Sequence, residues 1–207
     1  MNNTFTQHHF NHNIDAQLPN ISHLLCKATT WRLLGLLWER PRPHWCEEIR
    51  QIASEIKQPL FSRITEIAQQ TSEGTYLAIF GPGGQISPRQ VSYCGIQDPG
   101  RNISELLAFY QAFLFTPSTE DPPDHIAVEV SFISYLLLKE AYALAQNAND
   151  DVQITRQARK SFVSLHLLPF VSSLHQKICE LKNVPPHIVL STQHILSETS
   201  SPQWCDK

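Results

Sequence analysis

A chain of 207 residues with 42% hydrophobic and 17% charged side chains is long enough for one domain with a substantial core, and too apolar for a disordered one. A formal charge of −3 and a pI near 6.3 leave no basic face of the kind that general nucleic-acid binding requires. No apolar run approaches the roughly 20 residues that span a bilayer, and five scattered cysteines without a CxxC pair build neither a disulfide framework nor a zinc ribbon.

The opening, MNNTFTQHHFNHNIDAQLPN, is polar and lacks the apolar core of a signal peptide, which predicts a cytoplasmic chain. Residues 1–18 read as a flexible arm whose His8, His9 and His12 are solvated. An all-helical domain is expected over 19–200. In its first helix Ile21, Leu24, Leu25, Ala28, Trp31, Gly35 and Trp38 recur at three- and four-residue steps and form one buried face. Cys26 in this stretch reads as a small buried hydrophobe. Pro-Arg-Pro at 41–43 ends the helix. Amphipathic segments follow over Trp45–Lys57 and from Pro59 toward Gln70. Tyr76, Leu77 and Phe80 then lead into Gly-Pro-Gly-Gly at 81–84, a turn that lacks the Lys-Ser/Thr of a phosphate loop.

Gln85 to Arg101, with two prolines and two glycines, predicts a long irregular loop of the kind that carries function. Helix resumes over Ser104–Phe115, and TPSTEDPP at 116–123 breaks it. From Asp124 comes the strongest helical signal: Ile126, Val130, Ile133, Leu137, Ala141 and Leu144 make one stripe, and Val128, Phe132, Tyr135, Leu136 and Leu138 cover most of the remainder. A helix apolar nearly all round belongs in the centre of a bundle. Further helices are expected over Asp151 to about His166, Leu167–Lys182 with a join near Pro169, and from Pro185-Pro186 to about Glu198. Residues 201–207 read as a frayed end. No strand-like alternation persists. The expectation is an all-α, single-domain bundle of about 8–10 helices.

The chemistry concentrates at the entry to that central helix. Pro122 and Pro123 fix an extended approach, and Asp124 then stands at the N-cap or in the first turn, where a carboxylate satisfies free N–H groups. No capping rule calls for His125. Its neighbour four residues on, Glu129, shares its face, and the two could hold a metal only with a third ligand such as a distant His166 or His175. Glu120, Asp121, Asp124 and Glu129 put four carboxylates beside Ile126, Phe132 and the proline pair. Acid next to apolar surface suits a basic-then-hydrophobic peptide, and equally a solvated acidic loop. There is no GxSxG and no HExxH, so no nucleophile is indicated. Trp31, Trp38 and Trp45 read as core or groove-lining. On residues alone the chain is a peptide-binding bundle, a ligand-sensing helical regulator, or a metal-dependent helical enzyme using His125 and Glu129. The absence of a basic cluster counts against the regulator.

Three segments together resemble a known family. YLAIFGPGGQISPRQVSY is similar to the Tyr-x-x-(Leu/Ile)-Phe…Gly…Ser-Pro-x-x-Ser-x-Tyr block of the TorD/DmsD/NarJ chaperones of molybdenum oxidoreductases. EDPPDHIAVEVSFISYLLLKEA resembles their Glu-x-Pro-x-Asp-His helix, and SFVSLHLLPFVSSLHQKI their Phe-x-x-x-His-Leu-x-x-(Trp/Phe) segment. The resemblance spans about residues 20–182. It implies a non-enzymatic, cofactor-free chaperone that binds the N-terminal leader, often of the twin-arginine type, of a molybdopterin-containing catalytic subunit and holds that apo subunit until its cofactor is loaded. Carried over residue by residue, it implies a peptide site at Asp124 and His125 with Pro123, and at Ser87, Pro88 and Tyr93 on the loop. Glu129 is added from its helical spacing, and Asp121 and Phe132 from the cluster of carboxylates beside apolar residues. Arg89 and Gln90 stand where relatives often have an aromatic and an acid, placing a positive charge beside the groove, and Phe170 stands where tryptophan is common. The proline-rich hinges fit a monomer or a domain-swapped dimer.

Overall fold

The computed structural model describes residues 5–95, 98–202 and 204, with side chains from residue 17 onward. His8, His9, His12 and Cys205 fall outside the described side chains. Among the described residues there are nine α-helices and no strand, which agrees with the all-α expectation. The centre is an antiparallel pair, α1 (Phe5–Trp38) against α6 (Ile126–Ala145). Direction follows from the contacts: Ser134 Oγ donates to the Ala28 carbonyl at 2.7 Å, whereas Gly35 lies against Ala127 and Ser131. Gly35 sets the spacing. A Cβ there would come 2.6 Å from Ser131 Oγ and 3.2 Å from the Ala127 carbonyl, so the two backbones meet where there is no side chain.

From Ala28 onward α1 is enclosed almost all round, with Trp31, Leu33, Leu34, Leu36, Leu37 and Trp38 buried. Before that point it packs on one side only. Leu25 and Cys26 are exposed, which corrects the reading of Cys26 as buried: it stands about 200° round the helix from Ala28. The helical trace reaches back through Pro19 to Phe5, into the segment expected as an arm.

Short helices close over the C-terminal end of α1. The Pro-Arg-Pro break holds, and α2 (Trp45–Glu55) enters from His44 in a left-handed conformation, φ 67°. Trp45 Nε1–H donates to the Leu36 carbonyl at 2.8 Å and anchors this corner. α3 (Pro59–Ala68) starts at the expected proline, and α4 (Glu73–Phe80), capped by Ser72 Oγ, stops at Gly81, where the break was expected. α5 (Pro99–Ala112) starts on Asp98, whose side chain accepts from Gly100 N–H. Beneath it, edge-to-face rings of Phe109, Tyr110, Phe132 and Phe162 fill the core.

The join expected near Pro169 is a π-turn over Val163–Leu167, through which α7 (Asn149–Phe162) and α8 (Leu168–Glu180) run into one another. Leu168 N–H reaches back five residues to the Val163 carbonyl, and the wider turn admits Pro169, which has no N–H to place in an α-ladder. α9 (Pro186–Thr199) packs on α8 and α3. Past it, Trp204, in the segment expected to fray, is fully buried, edge-on to Trp31 at 5.6 Å and under the Arg159 guanidinium at 4.6 Å.

Candidate functional site

The loop read as irregular is pinned to the start of α6 by two backbone hydrogen bonds. Gln90 N–H donates to the Asp124 carbonyl at 2.8 Å and Ile126 N–H to the Pro88 carbonyl at 2.9 Å, making an isolated antiparallel bridge between Arg89 and His125. A 3₁₀ turn over Gln90–Tyr93 follows. The Tyr93 hydroxyl closes back on the Ser87 carbonyl at 2.8 Å, and Ser92 Oγ donates to Ser87 Oγ at 2.7 Å. Burial pushes the Tyr93 phenol up to about 12, so it stays a donor. The Ser-Pro loop and the Asp-His entry, 35 residues apart in sequence, are thus one structural unit.

Within it, Asp124 is completely buried. Its Oδ1 accepts from Arg89 Nε at 3.0 Å and forms an ion pair with Nη2 at 2.9 Å, and its Oδ2 accepts from Val91 N–H at 3.3 Å. The capping role expected of Asp124 falls instead to His125. As N-cap of α6, His125 accepts the Ala127 N–H on Nδ1 at 3.2 Å. That bond requires a neutral ring with its proton on Nε2, which faces the Tyr76 hydroxyl at 3.4 Å; Tyr76 in turn donates to the Trp38 carbonyl. Burial lowers the His125 pKa, against the pull of Asp121 and Asp124, and keeps the imidazole uncharged. A histidine is therefore no electrostatic anomaly at this helix terminus.

His125 forms the floor of an open cleft of about 870 Å³. One wall is the end of α1 and α4, with Tyr76, Leu77 and Phe80; another is Gly81 to Arg89; the third is Ser118 to Pro122. Three arginines line it and all are engaged: Arg40 with Glu73 at 3.5 Å, Arg42 with Glu48 and Glu39, and Arg89 with Asp124. Glu39 is already held by Arg32 and Arg42. Glu120 and Asp121 on the third wall have no ion pair among the described residues. The cleft therefore combines apolar side chains of α4 and the Gly81–Arg89 wall with two carboxylates, Glu120 and Asp121, that no ion pair among the described residues balances, beside arginines that are already paired.

The model of the nitrate reductase delta subunit family matches residues 42–176, which include the Ser-Pro loop, the Asp-His entry and α6. The chain belongs to that family. This bears out the resemblance to the TorD/DmsD/NarJ group. Two curated proteins are similar to the chain: the chlorate reductase assembly chaperone protein of Ideonella dechloratans, 29% identical over 118 residues, and the selenate reductase assembly chaperone protein of Thauera selenatis, 30% identical over 131 residues. The alignments cover 54% and 57% of this chain and 60% and 66% of those relatives.

The expected site residues of this delta subunit family member separate into three groups. Asp121, Ser87, Pro88 and His125 line the cleft. Asp124, Pro123 and Tyr93 stand directly behind it: the Pro123 carbonyl accepts the Tyr110 hydroxyl at 2.8 Å, and the Tyr93 ring packs on Phe170 at 5.5 Å. Glu129 and Phe132 do not belong to it. Both are fully buried, Phe132 among the core rings and Glu129 with neither carboxyl oxygen hydrogen-bonded, so burial raises its pKa well above the ordinary range and the proximity of Asp124 adds to the effect. Helical spacing put them on one side of α6, but that side faces the core. The metal alternative meets the same obstacle, since both His125 nitrogens are engaged, and no group of three His, Cys, Asp or Glu among the described residues is placed to hold an ion. Sequence reasoning missed Tyr76 and the Arg89–Asp124 pair. The Tyr-x-x-x-Phe spacing of 76 and 80 was the available signal for the first; for the second there was only an arginine out of pattern.

Proposed function

We propose that this protein is a cytoplasmic assembly chaperone, without catalytic chemistry or cofactor of its own, for the catalytic subunit of a molybdenum oxidoreductase. It binds the basic, then apolar, N-terminal leader of that subunit and holds it while the cofactor is inserted. Membership of the family and the printed roles of the two relatives support the general role. The leader reading rests on one observation above all: every arginine in the cleft is matched, and Glu120 and Asp121 are not. Two uncompensated carboxylates over Leu77, Phe80 and Ile86 are complementary to a positively charged segment followed by apolar residues. Arginines of the leader therefore meet Asp121 and Glu120 first, and its apolar residues lie along the α4 wall. Burying a few hundred Å² at about 25 cal/mol per Å², less the ordering of a free peptide, corresponds to affinity on the order of micromolar, suited to a client that is handed on.

The test is affinity capture from the native host with mass spectrometry of the retained proteins. Wild type is expected to retain a molybdoenzyme catalytic subunit, and the Glu120→Gln/Asp121→Asn variant, which changes only rim groups, to lose most of it. Capture of no such subunit would overturn the function. Equal capture by the folded variant would overturn the site. An Asp124→Ala/His125→Ala variant is a poorer probe, because it removes a buried ion pair and a helix cap together.

A further inference from the structure

The Asp124 carboxylate is a guanidinium-binding group that the chain itself occupies. Arg89 lays two of its nitrogens on Oδ1, while the bridge through Gln90 and Ile126 and the Val91 N–H hold the carboxylate in place from behind. The pair is lopsided. The Asp124 side chain has no exposure at all, but the Arg89 side chain is 40% exposed and its residue lines the cleft beside Glu120 and Asp121. Arg89 is thus the lid over a fully buried carboxylate directly behind the cleft, and Glu120 and Asp121, which have no ion pair among the described residues, line the same cleft for it to turn toward.

We propose that Arg89 is an internal competitor: an arginine side chain arriving in the cleft displaces it from Asp124, and Arg89 swings out to the Glu120–Asp121 rim. The class of ligand is read from the occupant, since the seat is seen holding a guanidinium. The exchange conserves charge, because one cation leaves the buried carboxylate as an identical one enters and the displaced cation meets acids that were unmatched. Arg89 in this role sets selectivity. It holds down the affinity for any lone arginine and favours a ligand with a second positive charge and an apolar segment to offset the displacement. This inference rests on the peptide-binding reading for the identity of the incoming group.

The experiment uses the full chain and two blocked dipeptides, acetyl-Arg-Arg-amide and its citrulline counterpart, measured by isothermal titration. In the Arg89→Ala variant the arginine dipeptide is expected to bind at least tenfold more tightly than to wild type, the citrulline dipeptide is expected to show no gain, and the gain is expected to vanish in Arg89→Ala/Asp124→Asn. Equal affinity of the arginine dipeptide for wild type and Arg89→Ala overturns the proposal. Should Arg89→Ala fail to fold, wild type labelled with ¹⁵N-arginine decides, its Arg89 signal assigned with Arg89→Lys. At saturating arginine dipeptide the Arg89 Nε–H is expected to exchange with solvent at least tenfold faster, and an unchanged rate overturns displacement. If capture from the host fails but the dipeptide results hold, the functional reading falls and the seat stands; the converse pattern removes the seat alone.

Discussion

Replacing Glu129 by leucine is the sharpest check on the interior next to the cleft. The side chain is fully buried and neither oxygen has a partner, so in the folded state it is held as the neutral acid. In the unfolded chain it titrates near 4.5. Below that pH the group is protonated in both states and adds no slope. Above it the unfolded chain releases the proton while the folded chain keeps it, so wild type loses about 1.4 kcal/mol of stability for every pH unit over which Glu129 remains protonated in the fold. The unmatched carboxyl itself costs a further ~1–3 kcal/mol of desolvation. Glu129→Leu, apolar and similar in reach, removes both. The variant is expected to be more stable than wild type, by a margin that widens as pH rises above 4.5 for as long as the folded chain keeps the proton, and to capture client as wild type does, because residue 129 does not line the cleft. Urea titrations at pH 5, 6 and 7 measure the margin. A margin independent of pH, or a variant less stable than wild type at every pH, would refute the account of this carboxyl.

Three further predictions address the frame that holds the cleft. His187, fully enclosed beside Trp45 and hydrogen-bonded to Thr71, has a pKa that burial depresses to about 4, so the stability it supports is present above 6.5 and declines as pH falls toward 4; a His187→Gln variant is expected to flatten the acid side of the pH–stability profile. Gly35→Ala forces a Cβ against Ser131 Oγ and is expected to cost about 1–3 kcal/mol in thermal unfolding, partly recovered in Gly35→Ala/Ser131→Ala; no loss would mean that α1 and α6 are not in contact there. Trp204→Ala removes a ring buried on Trp31 and covered by Arg159, and is expected to cost about 3–5 kcal/mol by denaturant titration, whereas a freely moving end would lose nothing.

Much of the helical frame was legible because its signals are local. Pro41 and Pro43 stop α1, Gly81 stops α4, Pro59 and Pro186 open helices, and the stripe through Ile126, Val130, Ile133 and Leu137 marks α6 as central, whereas α5 begins at Pro99, inside the segment expected as loop. The π-turn before Pro169 was not legible, since a proline signals a disturbed ladder without saying whether the rod breaks or widens. At the site, the motif residues located the correct loop and helix entry, but periodicity describes a helix face without naming what covers it. Cys26 lies off the packed face, and Glu129 and Phe132 face the core instead of the cleft.

The amino-acid sequence by itself determined the class of fold, several of the helix ends and the two segments that meet at the site, because propensity, prolines and apolar spacing act over a few residues. Tertiary structure alone decided which acids are free. Asp124 and Asp121 are three residues apart, yet one is sealed against Arg89 and the other stands open on the rim. The difference comes from a bridge formed by a loop 35 residues away, whose pairing no local rule encodes.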